Sequence, residues 1–458
     1  MHCRTRVWNF AVPLSLLAVG GCAGAPSEST EVTVLEGTLQ TVVVGNAERT
    51  AAHFEYFLEH EDGAWTRLLF DQRPELLHGE PGHEHLTLPG HAHDQTTAQV
   101  RLEVAGALSG DELEVAEIAV IGEADGEIGT AQNALIAASP RKVAVILANF
   151  SNNAAQPLTA AGARDLVFGG AQSSNAYFKE ISFGIRSLVG KLAPTGDVFG
   201  WYTIPASNDP CNYSAWGTAA RAQATSAGVD LSGYDHIVHY FPSSPACGWA
   251  GVGQVPGRYT WINGASASVI AHELGHNFGA HHSSSLSCRD ATGARVPMSS
   301  TCTISEYGNP FDVMGRGYRH TTAFNKGRMG FLEPANTVSA AADGTFTIAP
   351  LEQKSTGVQS LRIPINTSQA YYVEFRQPFG FDNFTTTSSV VNGVLINRAP
   401  ASYSTIERPQ LIDMVPGTTT FTDASLTAGK TFTDATAGIR VTLNSLSSAG
   451  ANVSVDVP

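Results

Sequence analysis

Residues 272–282 read His272-Glu273-Leu274-Gly275-His276-Asn277-Phe278-Gly279-Ala280-His281-His282. At about 100° per residue, His272 and His276 fall on one face of a helix, one turn apart, where two imidazoles can share a tetrahedral metal. Ile270, Leu274 and Phe278 fall on the opposite face, so the helix packs on a core while its histidine pair looks into a cleft. Glu273 lies at the edge of the histidine face, placed to hold a metal-bound water and take its proton. Gly279 can adopt φ > 0, stop the helix and turn the chain so that His282 supplies a third ligand. Three protein ligands plus water is the open arrangement of a catalytic zinc, not the closed four-ligand arrangement of a structural one. Zinc is therefore the expected cofactor, held by His272, His276 and His282, with Glu273 as the catalytic carboxylate. His281 reads as a flanking polar residue.

Around this motif the pattern alternates strand and helix. Val143 to Phe150 is an apolar, β-branched run that predicts a buried strand. Asn175 to Leu192 has helical spacing, Val198–Ile204 and His236–Phe241 read as strands, and Ser214 to Ala227 reads as an Ala-rich helix. Such alternation implies a mainly parallel sheet covered by helices. Residues 28–130 instead carry alternating apolar and polar runs separated by turn residues, predicting a small β domain. Residues 78–94 form a polar loop with five histidines: His78, His83, His85, His91 and His93. From about residue 340 short alternating strands return and predict an antiparallel β-sandwich. The expected fold class is thus α+β and multidomain: a β domain over 28–130, a linker over 131–141, a catalytic domain over 142–338 and a C-terminal β-sandwich over 339–458.

Charge divides along the same lines. Residues 28–140 carry 21 acidic and 4 basic side chains, whereas residues 141–458 carry 20 and 21. No Lys/Arg-rich run exists to meet phosphates, which argues against a nucleic-acid partner. Arg4 and Arg6 precede a short apolar stretch ending at Val19-Gly20-Gly21-Cys22, the pattern of a signal peptide over residues 1–22. Val-Gly-Gly-Cys resembles a bacterial lipobox, so Cys22 is the expected site of a lipid anchor, with plain secretion as the alternative. Past Cys22 four cysteines remain: Cys211, Cys247, Cys288 and Cys302. In an exported chain they predict two disulfides, and Cys211–Cys247 with Cys288–Cys302 is the favoured of three possible pairings.

His-Glu-x-x-His-x-x-Gly-x-x-His followed by a Met resembles the metzincin pattern, the Met here being Met314 in Tyr307-Gly-Asn-Pro-Phe-Asp-Val-Met314-Gly315. Within the metzincins, that stretch is similar to the gametolysin family of secreted zinc endopeptidases. So are His320, Phe324-Asn325-Lys326, Gly330-Phe331, the segment from Tyr177 to Gly184, and Tyr371-Tyr-Val-Glu-Phe-Arg376. The likeness spans about residues 141–400. It implies a Met turn forming an apolar floor under the zinc, and hydrolysis of peptide bonds in large extracellular or cell-wall proteins. Astacin-like metzincins place a Tyr two residues after the Met; Arg316 stands there, leaving Tyr318 and His320 as candidates for the oxyanion. A peptide substrate is expected to add to an antiparallel edge strand within Gly248–Ile262. The anionic amino-terminal domain reads as a propeptide, with a His or Asp of residues 78–94 as a possible zinc blocker. The rival reading is an inert surface lipoprotein, an adhesin or zinc-binding module. Oligomeric state is not legible.

Overall fold

The computed structural model describes residues 32–70, 77–78, 85–86, 88, 100–123, 139–264, 266–403 and 407–458. The export segment with Cys22, most of the His-rich stretch and residues 131–138 of the linker lie outside these. No helix among the described residues is long and apolar enough to cross a membrane.

The strand Arg141–Phe150 is the hub. It pairs in parallel with Asp197–Ile204 on one side and with His236–Phe241 on the other, and the latter pairs in parallel with Tyr259–Asn263. Its side chains alternate between two cores, as a strand period of two requires. Val143, Val145 and Leu147 meet Phe178 and Ile181 of the helix Ser174–Ile181, together with Ile270 and Leu274 of the motif helix. Ala144, Ile146 and Ala148 meet Trp216, Ala220 and Ala224 of the helix Tyr213–Ser226, which Asn212 caps by accepting from the Ala215 N–H. A parallel sheet with helices on both faces therefore forms, as the alternation of the sequence implies.

The hairpin partner of Tyr259–Asn263 is the short antiparallel strand Gly251–Gln254, which ends the parallel part of the sheet. There the sheet does not stop. Val32–Gly45 pairs antiparallel with this strand, with Val42 opposite Gln254, Val43 opposite Gly253 and Val44 opposite Val252. The amino-terminal strands thereby join the catalytic ones in a single eleven-stranded sheet. They also close on themselves as a five-stranded barrel. Val32–Gly45 pairs with both Ala52–Glu59 and Val100–Ser109, while Trp65–Leu69 runs parallel to Glu112–Glu123. Leu39, Leu58, Leu68, Leu102 and Leu113 fill the barrel.

The C-terminal part has two sheets that share one core, the larger supplying Leu361, Val373 and Ile396 and the smaller Val441, Val453 and Val455. The larger is mixed rather than antiparallel, because Ser284–Arg289 runs parallel to Gln410–Ile412 and Thr337–Ser339 parallel to Ser360–Pro364. The strand that directly follows His282 is thus built into the C-terminal sheet.

One local expectation needs correction. The helix expected over 175–192 spans only Ser174–Ile181, because Phe183 and Gly184 take left-handed conformations (φ 56° and 82°) that end it. Ile185 and Leu188 keep their apolar role outside it, and Leu188–Val189 is a short strand. The disulfides Cys211–Cys247 and Cys288–Cys302 form in the favoured pairing.

Candidate metal centre

The motif helix spans Ala267–Asn277 and packs Ile270 and Leu274 into the core. Gly279 ends it with φ 95°: its N–H donates to the His276 carbonyl, and the Ala280 N–H donates to the Gly275 carbonyl. This close reversal carries His282 back beside His276, as the spacing predicts. One ligating atom from each of His272, His276 and His282 lies within 4.8 Å of the others, and all three side chains are buried. No other such group of three occurs among the described residues.

Each ring is aimed by its Nδ1. His272 Nδ1 lies 2.8 Å from the Val313 carbonyl, His276 Nδ1 2.8 Å from the Ala280 carbonyl, and His282 Nδ1 2.7 Å from Glu306 Oε1. With Nδ1–H donating, Nε2 is left as a lone pair. The Nε2 atoms of His276 and His282 face each other at 3.1 Å, a repulsive contact for two lone pairs that a shared cation resolves. Burial pushes the pKa of all three imidazoles down, that of His276 to about 4. They are consequently neutral at physiological pH, the form that ligates a metal. The residues therefore fit a divalent ion with three nitrogen ligands.

Glu273 is buried beside the triad, and burial raises its pKa to about 8 against the opposing charge of Arg49. Two glycines of the adjacent strand Gly251–Gln254 make room for it. A Cβ on Gly251 would come within 2.6 Å of Glu273 Oε1, and one on Gly253 within 2.7 Å of the Glu273 carbonyl. The cleft at Glu273 and His272 is also lined by Tyr307, Ala250, Arg49 and Gly45. The Tyr307 ring lies 4.0 Å from that of His282, centroid to centroid. Beneath the helix, Met314 is fully buried, and its Sδ sits 2.7 Å from where a Cβ on Gly275 would be. Asp312 shapes this turn by accepting from the Met314 N–H, the Thr322 N–H and the Ser283 hydroxyl.

The two oxyanion candidates are not at this cleft. The Tyr318 hydroxyl donates to the Gln172 carbonyl, and His320 is buried between Glu180 (2.7 Å) and Lys326 (3.1 Å). Both pack around the helix Ser174–Ile181, where Tyr177 stacks on the Tyr318 ring and Glu180 meets His320. His281 is buried rather than exposed, its ring edge-on to Phe54 of the barrel at 5.9 Å, and it is not part of the triad. Sequence reasoning missed Glu306, Tyr307, the glycines at 251 and 253 and the barrel residues Gly45–Arg49. Tyr307 opens the quoted Met-turn stretch, so its neighbourhood was visible while its role was not. Nothing in the local pattern marks the others.

Three imidazoles with converging Nε2 atoms and a buried carboxylate define a metal site of the kind hydrolytic enzymes use. The chain belongs to the gametolysin peptidase M11 family, whose description matches residues 142–427. It is thereby a member of a metallopeptidase family. No curated protein matches. Among solved structures, one titled "Structure of a chaperone-substrate complex" is similar at 11% identity with a TM-score of 0.21, over 56% of this chain and 36% of that one. A likeness that slight carries no argument.

Proposed function

We propose that the chain is a zinc-dependent endopeptidase of the metzincin type, exported and either secreted or anchored through Cys22, that hydrolyses peptide bonds of extracellular or cell-wall proteins. The observation that carries this reading is the convergence of the His272, His276 and His282 ring nitrogens beside buried Glu273. His272, His276 and His282 would hold the zinc, whose charge polarises a scissile carbonyl and makes an attacking water more acidic. Glu273 would accept the proton of that water and return it to the leaving amine, a role for which its buried place beside the three histidines suits it. The strand Gly251–Gln254 lies against the motif helix, and its outer backbone groups would serve an extended substrate once the segment Val42–Val44 that pairs with them is withdrawn. Two disulfides and the signal-like amino end support export.

The test is hydrolysis of casein by wild type and by Glu273→Gln, each with zinc content measured. The variant is expected to keep its metal and lose roughly 10²–10⁴ of the rate. Equal rates in the two would remove Glu273 from the chemistry, and a wild type that binds zinc yet never cleaves, even after the linker has been cut, would leave the adhesin reading.

A further inference from the structure

We infer that Tyr307 makes the metal centre selective for glycine: an extended polypeptide lying along Gly251–Gln254 fits only with glycine opposite Gly251, so that the bond cleaved is one beside a glycine. The inference rests on the endopeptidase reading and names the polypeptide that such a site accepts.

The register is set by backbone hydrogen bonds. The chain's own segment shows where a strand antiparallel to Gly251–Gln254 puts its residues. Val42, Val43 and Val44 lie opposite Gln254, Gly253 and Val252. The Val255 N–H donates to the Thr41 carbonyl at 3.0 Å, and Gln254 Nε2 donates to Gln40 Oε1 at 2.7 Å. One step further in the same register Gly45 falls opposite Gly251, and it lines the cleft together with Glu273 and His272. Antiparallel pairing fixes Cα positions through the backbone alone, so a substrate strand paired in this way brings a residue to that place whatever its sequence. A residue beside Glu273 and His272 flanks the bond on which they would act.

That place has no room for a side chain. A Cβ on Gly45 would overlap the Tyr307 hydroxyl and come within 2.9 Å of its Cζ, and the three atoms nearest to it all belong to Tyr307. The backbone does not itself call for glycine, since Gly45 lies outside the left-handed region that glycine alone enters freely. The exclusion therefore belongs to the tyrosine.

Tyr307 is held in place. Its ring is buried, with the His282 ring 4.0 Å away and the His272 ring 5.8 Å away, and both of those rings are fixed through Nδ1. The next residue, Gly308, is pressed so closely on Ser285 that a Cβ there would overlap the Ser285 hydroxyl. The backbone that carries Tyr307 thus sits hard against the strand Ser284–Arg289. Two residues before Gly45, and so on the same face of its strand, Val43 packs with Tyr307 and Val255. The wall that excludes a side chain at one position favours an apolar one two residues earlier. The substrate class is an extended polypeptide that reads apolar, any, glycine.

The experiment uses the zinc-loaded chain, intact and with its linker cut, as wild type, Tyr307→Phe and Tyr307→Ala. Peptides of a casein and gelatin digest are offered and the cut bonds are read by mass spectrometry. The peptide cut fastest is then remade with alanine in place of its glycine. Wild type is expected to cut with glycine on one fixed side of the bond. It should also show a kcat/KM for the glycine peptide about 10–200-fold above that for its alanine twin, the range a single methylene commands. The ratio is taken within one preparation, so the fraction of molecules that are loaded and open cancels. Tyr307→Phe removes the nearest atom and should shrink the ratio, and Tyr307→Ala should bring it close to one. A second readout needs no activity: Gly45→Ala should lower the denaturation midpoint of wild type but not that of Tyr307→Ala, where the methyl has space. Cuts with no enrichment of glycine, a ratio unchanged in the Tyr307 variants, or an equal fall of the midpoint in both backgrounds would each overturn the inference and leave the endopeptidase reading intact. If no form cleaves, with the linker cut or not, that reading fails and the inference falls with it. Should Tyr307→Ala not fold, Tyr307→Phe decides by the same two comparisons.

Discussion

Glu306 holds His282 by its Nδ1 at 2.7 Å, while its other oxygen meets Arg408 at 3.1 Å. The third histidine of the cluster is thus oriented by a carboxylate that lies 24 positions further along the chain. Such a partner fixes the tautomer and the ring direction, and its loss usually weakens metal binding by about 10–100-fold. Glu306→Ala is expected to lower zinc affinity within that range, read by competition with a chelator. Glu306→Gln should retain most of it, because the amide oxygen still accepts from Nδ1–H. Equal affinities in wild type and Glu306→Ala would show that His282 is aimed by packing alone.

Gly275 is a second place where the floor of the site can be tested. Glycine inside a helix costs about 1 kcal/mol relative to alanine, so Gly275→Ala would stabilise an isolated helix. Here the new methyl would press on Met314 Sδ at 2.7 Å, and Met314 is fully buried with no open side to retreat to. Overpacking of that kind costs about 1–3 kcal/mol and outweighs the propensity gain. The variant should have a lower denaturation midpoint than wild type. It should also bind zinc less tightly, because the displaced turn carries the Val313 carbonyl that aims His272. A raised midpoint would mean that the floor yields freely.

Arg376 ties the C-terminal sheet to that floor. Its fully buried guanidinium meets Asp382 at 2.7 Å and Glu352 and Glu374 at 3.0 Å, and it donates to the carbonyls of Phe311 and His320 on either side of Met314. Removing it leaves three buried carboxyl groups without their cation, a loss of about 3–5 kcal/mol. Arg376→Met should therefore unfold at lower denaturant concentration and expose residues 311–320 to proteolysis before the parallel sheet is attacked. An unaltered digestion pattern would sink the idea that this cluster clamps the Met turn.

His236 gives a pH prediction away from the metal. Burial lowers its pKa to about 4, with the charge of Asp235 opposing. The unfolded value is about 6.5, so between pH 6.5 and 4 the unfolded chain takes up a proton that the folded chain refuses. The stability this neutral ring contributes is complete above pH 6.5 and is lost as pH falls through that window, by about 3 kcal/mol in all. His236→Phe, which keeps the ring against Phe278, should flatten the fall in stability over this range relative to wild type. Parallel pH curves for the two proteins would contradict it.

What could be read from the sequence was whatever the chain builds from near neighbours. The convergence of His272, His276 and His282 follows from helical periodicity and one glycine within eleven residues. The hub strand declares itself by an apolar run from Val143 to Phe150, and the structure buries all of it. The helix after Ser174 was overread because the apolar spacing continues through Ile185 and Leu188, while Phe183 and Gly184 break the backbone beneath it. Residues whose roles depend on distant partners carried no local mark. Glu306 is one acid among many until His282 is placed beside it. Arg376 stood out only as part of a stretch similar to a known family, and the reason is its reach into the Met turn. Gly45 looks like an ordinary turn residue and answers to Tyr307, far along the chain.

The bond between Gln40 and Gln254 joins positions 214 residues apart. During synthesis the ribosome releases the first of these long before the second. Throughout that interval the outer half of the strand Val32–Gly45 has one flank unclaimed, since Val100–Ser109 covers only its opening half. A bare flank of that kind invites pairing with other nascent chains. Slow translation or crowded expression should therefore favour clumping until residue 254 arrives.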